Sequence, residues 1–277
     1  QSKGRLYEES MALLEEAGIK IPGGKRTLLV PARNFPVEVL FLRDDDIPES
    51  VASGVADVGI VGLNEVMEKR CPVGILKKLG FGKCRLSLAI PQNIDYQDRN
   101  WFSGKKIATS YPGILSDYLH KNGIVSDIHV ITGSVEIAPG IRLADAIFDI
   151  VSSGSTLVSN RLKEVETVVE SEAVLIGTDS ISPEKRGILD ELLFRFDSVQ
   201  AADDKKYILM NVPQKKLNDV LSVLPGIKSP TVMPLADKEW CSVHTVLDEK
   251  CFWEIINRLK TAGAEGILVL DIEKMIL

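Results

Sequence analysis

The sequence predicts an α/β protein with two α/β lobes around a cleft, followed by a smaller C-terminal domain of order βαββαβ. Three observations predict this class. The chain has 277 residues, which at roughly 150 residues per domain corresponds to about two domains. An Ala-Asp pair leading into a buried strand and a small-residue turn occurs twice, at 56–62 and 144–154, and this favours two similar lobes. Beyond residue 203, strand-like and helix-like segments alternate in a separate pattern.

The composition excludes several classes of function. The 33 basic and 39 acidic residues give a net charge of −6, whereas non-specific binding to nucleic acid or to an anionic membrane surface needs a basic field. We therefore predict neither partner. No apolar run approaches the ~20 residues that span a bilayer. The opening residues carry no secretory signal, so we expect a cytoplasmic protein.

The cysteines and histidines are too scattered for a metal or redox motif. They are Cys71, Cys84, Cys241, Cys251, His120, His129 and His244. No two form the Cys-x-x-Cys or the helical i, i+4 histidine spacing of such sites. We predict reduced thiols and no metal site built by the protein alone.

The elements of the first lobe follow from periodicity and turn residues. Apolar residues share one face of a helix at 6–17, and Gly18 is the residue type that ends a helix in the left-handed conformation. Apolar runs bounded by turn residues predict strands at 27–31 and 37–42. Asp46 and Glu49 resemble a capping box that opens a short helix to Ser53. The run at 55–62 predicts a buried strand.

The remaining elements are predicted in the same way, and their boundaries define three domains. In the first lobe we further expect a strand at 83–90 that leaves it and an amphipathic helix at 184–196. In the second lobe we expect strands at 107–109, 143–151 and 171–176 and a short helix at 137–142, after a hinge at 91–104. The tail predicts strands at 207–212, 231–235, 241–247 and 266–270 with helices at 215–224 and 248–262, which is the ferredoxin-like order. Lobe I then comprises 1–90 and 178–202, lobe II comprises 91–177, and 203–277 forms a binding, sensing or assembly domain.

A hydroxyl-rich run directly after the second buried strand is the most informative motif. Ser152, Ser153, Ser155 and Thr156 surround Gly154. Backbone N–H groups at such a turn, together with Ser and Thr hydroxyls, fit the oxygens of a phosphate. The run is not a Walker loop, because a second glycine and the lysine are absent. An ordinary turn with a helix cap would use the same residues, so both interpretations stay open.

Asp149 lies inside the apolar strand that leads into this run. A carboxylate that is desolvated without a partner costs several kcal/mol. It therefore needs a partner such as sugar hydroxyls or an arginine, unless it is exposed at a strand edge.

These residues resemble the signature of the ATP phosphoribosyltransferase family. The matching segments are Glu136-Ile137-Ala138-Pro139, Leu143-Ala144-Asp145-Ala146-Ile147, Asp149-Ile150-Val151 and Ser153-Gly154-Ser155-Thr156-Leu157. Further segments at 3–6, 43–48, 56–62, 84–89 and 107–112 resemble other blocks of the family in the same order. The resemblance covers the whole chain, and the βαββαβ tail with Ser229-Pro230-Thr231 is similar to the long form of the family.

The resemblance implies the fold and the reaction. The lobes would be of the periplasmic-binding-protein type, and the enzyme would transfer phosphoribosyl from phosphoribosyl pyrophosphate to N1 of ATP, releasing pyrophosphate in the first step of histidine biosynthesis. Mg²⁺ would be held mainly by substrate. L-histidine would inhibit by feedback at the C-terminal domain, where Thr231 is the allosteric candidate, and the chain would assemble into dimers and hexamers.

The resemblance also implies roles for individual residues. The 5-phosphate would be bound by the hydroxyl-rich run, Ser152, Ser153, Gly154, Ser155 and Thr156. The ribose hydroxyls would be bound by Asp149, and Glu136 would help to position the substrate. The nucleotide would be contacted by Asp57 and Tyr111, and phosphates by Lys3 and Arg5. Glu136, Asp149 and Arg5 are the catalytic candidates.

Three arginines leave alternatives open. The family usually has glycine where this chain has Arg142, so a regulatory subunit without catalytic activity remains an alternative to the transferase. A second alternative is a non-catalytic protein whose two lobes bind a small molecule. Arg85 is equally compatible with a ligand contact and with a solvated strand edge. Arg43 and the aspartates after it favour a capped helix entrance over a metal site.

Overall fold

The computed structural model describes residues 3–22, 27–225 and 230–277. Its backbone separates into two units, Gln1–Leu189 and Asp190–Leu277. Within the described ranges, no helix is both long enough and apolar enough to cross a membrane. Ser229, part of the long-form resemblance, lies outside the described residues.

The first unit alternates strands and helices along the chain. Its strands are β1 (Leu29–Pro31), β2 (Glu38–Leu40), β3 (Val58–Gly62), β4 (Gly74–Lys78), β5 (Cys84–Pro91), β6 (Lys106–Thr109), β7 (Asp127–Val130), β8 (Ala146–Val151), β9 (Leu162–Ser171) and β10 (Ala173–Gly177). Its helices are α1 (Arg5–Glu16), α2 (Ile47–Ala52), α3 (Leu63–Lys69), α4 (Pro112–Lys121) and α5 (Ser155–Ser159), and α6 (Pro183–Ala202) runs on into the second unit.

Two sheets give the first unit two lobes. The sheet of lobe I has the order β3-β10-β4, with both neighbours antiparallel to β10. Its core joins Val61, Val174 and Ile176 to Ile47 and Val51 of α2. The sheet of lobe II has the order β7-β6-β8-β5-β9, in which β6 pairs in parallel with β7 and β8, and β5 pairs antiparallel with β8 and β9.

The chain crosses between these sheets at two adjacent places. One crossing lies between β4 and β5, and the other is Glu172, which alone separates β9 from β10. The crossings are bonded to each other, because the Leu79 N–H donates to the Ala173 carbonyl and the Ala173 N–H donates to the Phe81 carbonyl, both at 2.9 Å.

The predicted hinge at 91–104 is therefore wrong. That segment lies within lobe II, where Phe102 is fully buried in the core. The strands of the lobe II sheet begin in sequence with β5 at Cys84 and end with β9, just before Glu172, whereas the predicted limits of lobe II were 91 and 177. The three-domain division itself stays a prediction.

The second unit contains the predicted ferredoxin-like arrangement. Its elements are β11 (Lys205–Pro213), α7 (Leu217–Val223), β12 (Thr231–Pro234), β13 (Trp240–Asp248), α8 (Glu249–Ala262) and β14 (Glu265–Asp271). The sheet order is β12-β13-β11-β14, with all pairs antiparallel. The core places Ile208, Met210 and Val243 against Phe252 and Leu259 of α8. The α/β fold class with this C-terminal domain is confirmed.

Several predicted elements differ in detail. The segment predicted as a helix at 137–142 is not one: a 3₁₀ turn spans Val135–Ile137 and residues 138–142 form turns. They end at Arg142, whose φ of 60° is a left-handed conformation that cannot continue a right-handed helix. The strands predicted at 55–62 and 143–151 begin three residues later. Asp46 makes no side-chain capping hydrogen bond, so the capping box is not formed. The helix stop at Gly18 is confirmed by its φ of 75°.

Candidate functional site

The hydroxyl-rich run forms an open turn between β8 and α5. Ser152, Ser153, Ser155 and Thr156 are exposed, and Gly154 has a φ of 79°, which glycine adopts without steric cost. The Ser153 and Ser155 hydroxyl oxygens lie 3.0 Å apart. Within the described chain, the backbone N–H groups of Ser153, Gly154 and Thr156 donate to no protein acceptor. The turn therefore presents free amide and hydroxyl donors to an anion.

Asp149 lies three residues before this turn, in the middle of the sheet. It is partly buried, and the backbone N–H of Ile150 donates to its Oδ1 at 2.8 Å. Burial is the main cause that raises the pKa of this carboxyl to about 6, and the nearby Glu136 carboxylate raises it further. Among the described residues, no cation pairs with Asp149, so the partner that its position requires is left to a ligand.

Arg85 is neither a solvated edge residue nor a free ligand contact. Its Nε donates to Glu164 Oε1 at 2.6 Å, its Nη2 donates to the other carboxylate oxygen, and its Nη1 donates to the Ser152 carbonyl at 3.2 Å. The hydroxyls of Ser87 and Thr167 also donate to Glu164 Oε1. Led by the arginine hydrogen bond, these contacts lower the pKa of Glu164 to about 2.

Tyr111 joins the two lobes through its hydroxyl. The ring is buried, the O–H donates to Glu65 Oε1 at 2.9 Å, and the oxygen accepts from Asn64 Nδ2 at 3.2 Å. Asn64 in turn accepts a hydrogen bond from Ser171. Burial raises the pKa of Tyr111, and the Glu65 and Asp149 carboxylates raise it further. The hydroxyl is therefore committed to lobe I, and the buried ring is not exposed to a nucleotide in this structure.

A second contact between the lobes caps helix α4. Both carboxylate oxygens of Glu68 accept hydrogen bonds, from the backbone N–H groups of Gly113 at 2.8 Å and Ile114 at 2.9 Å. These are orphan donors at the positive end of the helix dipole, where a carboxylate is stabilising. Arg70 adds a hydrogen bond to Asp117 at 2.7 Å.

The other predicted residues make contacts of their own. Asp57 forms an ion pair with Lys185 at 2.8 Å. Lys3 is exposed, and Arg5 pairs with Glu9 at 3.1 Å within α1. Thr231 lies in the second unit.

The structure also locates the residues whose roles the sequence left open. Thr231 is exposed in β12 and pairs in register with His244 of β13. Arg43 hydrogen-bonds to Asp45 beside a 3₁₀ turn that leads into α2, in agreement with a helix entrance. Arg142 is exposed, and its left-handed φ explains a family preference for glycine by backbone geometry.

The structure thus brings together part of the predicted site. Asp149, Glu136, Tyr111 and the turn at 152–156 lie in lobe II, and electrostatic coupling links the first three. Sequence reasoning missed Glu164, Ser87, Glu65 and Glu68. The one available signal for Glu164 was the alternation of charged and apolar residues through β9.

Comparison with known proteins agrees along the whole chain. The family model described as "ATP phosphoribosyltransferase" matches residues 43–198, and the model described as "HisG, C-terminal domain" matches residues 202–274. An ATP phosphoribosyltransferase of Bacteroides fragilis is 70% identical over 277 residues, covering 100% of this chain and 98% of that protein. One of Cytophaga hutchinsonii is 57% identical over 276 residues, covering 100% and 96%.

A solved structure agrees as well. A chain of the "ATP phosphoribosyl transferase (HisG:HisZ) complex from Thermotoga maritima" matches with a TM-score of 0.60 and 26% identity, covering 70% of this chain and 95% of that chain. With the family models and the curated relatives, this likeness leads to one conclusion: the chain belongs to the ATP phosphoribosyltransferase family.

Proposed function

We propose that this protein is an ATP phosphoribosyltransferase that transfers the phosphoribosyl group of phosphoribosyl pyrophosphate to N1 of ATP and releases pyrophosphate. This is the first step of histidine biosynthesis. The observation that carries the proposal is the exposed turn at 152–156, directly after the strand that holds Asp149. Three of its backbone N–H groups donate to no acceptor in the described chain, and no cation of the described residues pairs with Asp149. An anion and a set of hydroxyl donors are what these groups require, and a ribose 5-phosphate supplies both.

The chemistry needs position and charge more than proton transfer. As the C1–O bond breaks, positive charge develops on the ribose and negative charge on pyrophosphate. The site has to hold a neutral ring nitrogen ~3 Å from C1 and to stabilise the leaving group. In this proposal the turn binds the 5-phosphate and Asp149 accepts hydrogen bonds from the ribose hydroxyls. Its carboxylate also stabilises positive charge on the ring.

The remaining assignments follow the family pattern. Glu136 helps to position the substrate, and its coupling to Asp149 supports this role. Lys3 and Arg5 bind phosphates from the start of α1, where both side chains reach solvent. Tyr111 contacts the nucleotide only after its buried ring and its hydroxyl, which is bonded to Glu65, are released. Asp57 contacts it only after exchanging its ion pair with Lys185.

The donor set is compatible with Mg²⁺ that arrives on substrate. In the described residues there is no group of three or more His, Cys, Asp or Glu side chains that could hold an ion. Mg²⁺ commonly takes one or two carboxylates and completes its shell with phosphate oxygens and water. Glu136 and Asp149 are carboxylates of this kind, and the ion would neutralise charge on the pyrophosphate.

We assign regulation to the second unit. L-histidine would bind the βαββαβ domain and inhibit the enzyme, with Thr231 on β12 as a contact. The chain would act in the cytoplasm as a homo-oligomer, a dimer or a hexamer. Replacing Thr231 by valine should weaken histidine inhibition, whereas Thr261→Val on the exposed face of α8 should leave it unchanged.

Pyrophosphate release with ATP and phosphoribosyl pyrophosphate tests the main proposal. Turnover that requires both substrates and yields N1-phosphoribosyl-ATP supports it. A pure, folded, full-length protein without turnover would contradict it and would leave the non-catalytic regulatory subunit or small-molecule binder as the explanation.

A further inference from the structure

Arg85 links the turn at 152–156 to the neighbouring strands of lobe II. It lies on β5, next to β8, and its register partner there is Val151, the last residue before the turn. Its Nη1 donates to the carbonyl of Ser152, the first residue of the turn. The other two hydrogen bonds of its guanidinium go to the two oxygens of Glu164 on β9. One side chain thus links three segments of lobe II.

The hydrogen bond to the Ser152 carbonyl fixes the direction of a donor on the opposite side. A trans peptide unit is planar, so its C=O and N–H point in opposite directions. The N–H of this unit belongs to Ser153, one of the amides without a protein partner. Holding the carbonyl toward Arg85 therefore aims the Ser153 N–H away from the Arg85 guanidinium, and in the described chain it donates to no protein acceptor.

Glu164 keeps the guanidinium in this orientation. Its carboxylate accepts both arms of the arginine fork, an arrangement that favours one orientation of the guanidinium. The hydroxyls of Ser87 and Thr167 occupy further lone pairs of Oε1. Ser87 is also the register partner of Asp149, so the same cluster supports the strand that carries the acidic group.

We propose that Arg85 and Glu164 are positioning residues that orient the Ser153 amide toward the 5-phosphate of phosphoribosyl pyrophosphate. The inference rests on the proposed function and deepens it, because it explains how the turn is pre-organised. It differs from a direct role of Arg85 as a phosphate ligand. In a direct role Glu164 would compete with the phosphate for the guanidinium, whereas in a positioning role Glu164 is required.

Two substitutions separate these roles. Arg85→Lys keeps the positive charge but loses the fork, and Glu164→Gln keeps the shape but loses the negative charge. We expect each to raise the KM for phosphoribosyl pyrophosphate about tenfold, the equivalent of one charge-assisted hydrogen bond, with the KM for ATP unchanged. Glu166→Gln is the matched control, because Glu166 lies on the same strand and pairs with Tyr96 instead.

The kinetic outcomes decide the inference. A lower KM for phosphoribosyl pyrophosphate in Glu164→Gln would show that the freed arginine binds phosphate directly, and would overturn it. An unchanged KM in folded Arg85→Lys would also overturn it. Thr167→Val, at an exposed position, provides a milder test should the Arg85 and Glu164 variants fold poorly. It removes one donor to Glu164, and we expect a rise of about twofold; no rise counts against the inference.

A binding measurement separates failure of the inference from failure of the proposed function. Thermal stabilisation by ribose 5-phosphate does not depend on turnover. If the parent is inactive but ribose 5-phosphate stabilises it more than it stabilises Glu164→Gln, the transferase proposal ends and the positioning role stands, because a direct role of Arg85 predicts no loss of binding in this variant. Equal stabilisation of the parent and Glu164→Gln would overturn the positioning role whether or not the parent is active.

Discussion

Replacing Asp149 by asparagine should stabilise the free protein at neutral pH while damaging its function. The pKa of this carboxyl is raised from 3.8 to about 6, mainly by burial. A difference of about two pH units corresponds to about 3 kcal/mol, at 1.36 kcal/mol per unit. This is the cost of ionising Asp149 in the folded chain without substrate. Asparagine removes the charge and keeps an oxygen that can accept from the Ile150 N–H.

The sign of the pH dependence follows from linkage. The folded pKa lies above the unfolded one, so the favourable contribution of the protonated carboxyl is complete below pH 3.8 and is lost as the pH rises to about 6. The stability advantage of Asp149→Asn should therefore be about 3 kcal/mol at pH 7.5 and about 1 kcal/mol at pH 4.5.

Denaturant unfolding of the parent and Asp149→Asn at these two pH values measures the difference. Glu164→Gln is a control of opposite sign, since ion pairing lowers the pKa of Glu164 to about 2 and its loss should destabilise the protein. In the turnover assay, Asp149→Asn should lose at least tenfold in kcat/KM, because the ribose hydroxyls lose a charged acceptor. A variant less stable than the parent at pH 7.5, or an advantage independent of pH, would refute the reasoning.

Three further substitutions test local features. Glu68→Ala should destabilise the first unit by about 1–2 kcal/mol in thermal unfolding, since two backbone N–H groups of α4 lose their acceptor; an effect below about 0.3 kcal/mol would contradict the capping role. Arg142→Gly should raise stability by up to about 1 kcal/mol by removing a left-handed non-glycine residue, with turnover unchanged. A large gain in turnover would instead favour the regulatory-subunit alternative. Gly154→Ala should cost about 1 kcal/mol because of the φ of 79° and raise the KM for phosphoribosyl pyrophosphate; an unchanged KM would show that the turn does not bind it.

The part of the fold that could be predicted from the sequence is the part in which each helix or strand carries its own sequence pattern. In the C-terminal domain each element carries its own pattern and stop, such as Gly263 after α8, with a φ of 108°, and the whole βαββαβ order is confirmed. By contrast, β9 was not predicted, whereas the strand predicted at 171–176 corresponds to β10. The glutamates of β9 hide the strand pattern, and their partners, among them Arg85 and Tyr96, lie some 70 or more positions earlier in the chain.

The same distinction applies to the candidate site. The turn at 152–156 and Asp149 are contiguous, and their residue types alone indicate an anion and hydroxyl partners. The bond from Tyr111 to Glu65 spans 46 positions, and no local pattern indicates it. The predicted hinge failed for a related reason, since sheet membership depends on which strands pair and β5 and β10 pair across the lobe boundary assumed from the sequence.

The two crossings between the sheets restrict how the lobes can move. Leu79, Phe81 and Ala173 bind the crossing segments together through two backbone hydrogen bonds, so neither segment can slide along the other without breaking them. Rotation of the lobes about this bonded pair would be a hinge motion rather than a shear. A proline at Ala173 would remove one of the two bonds, and because Ala173 is buried at the start of β10, opposite Gly62, it would also disturb the sheet of lobe I.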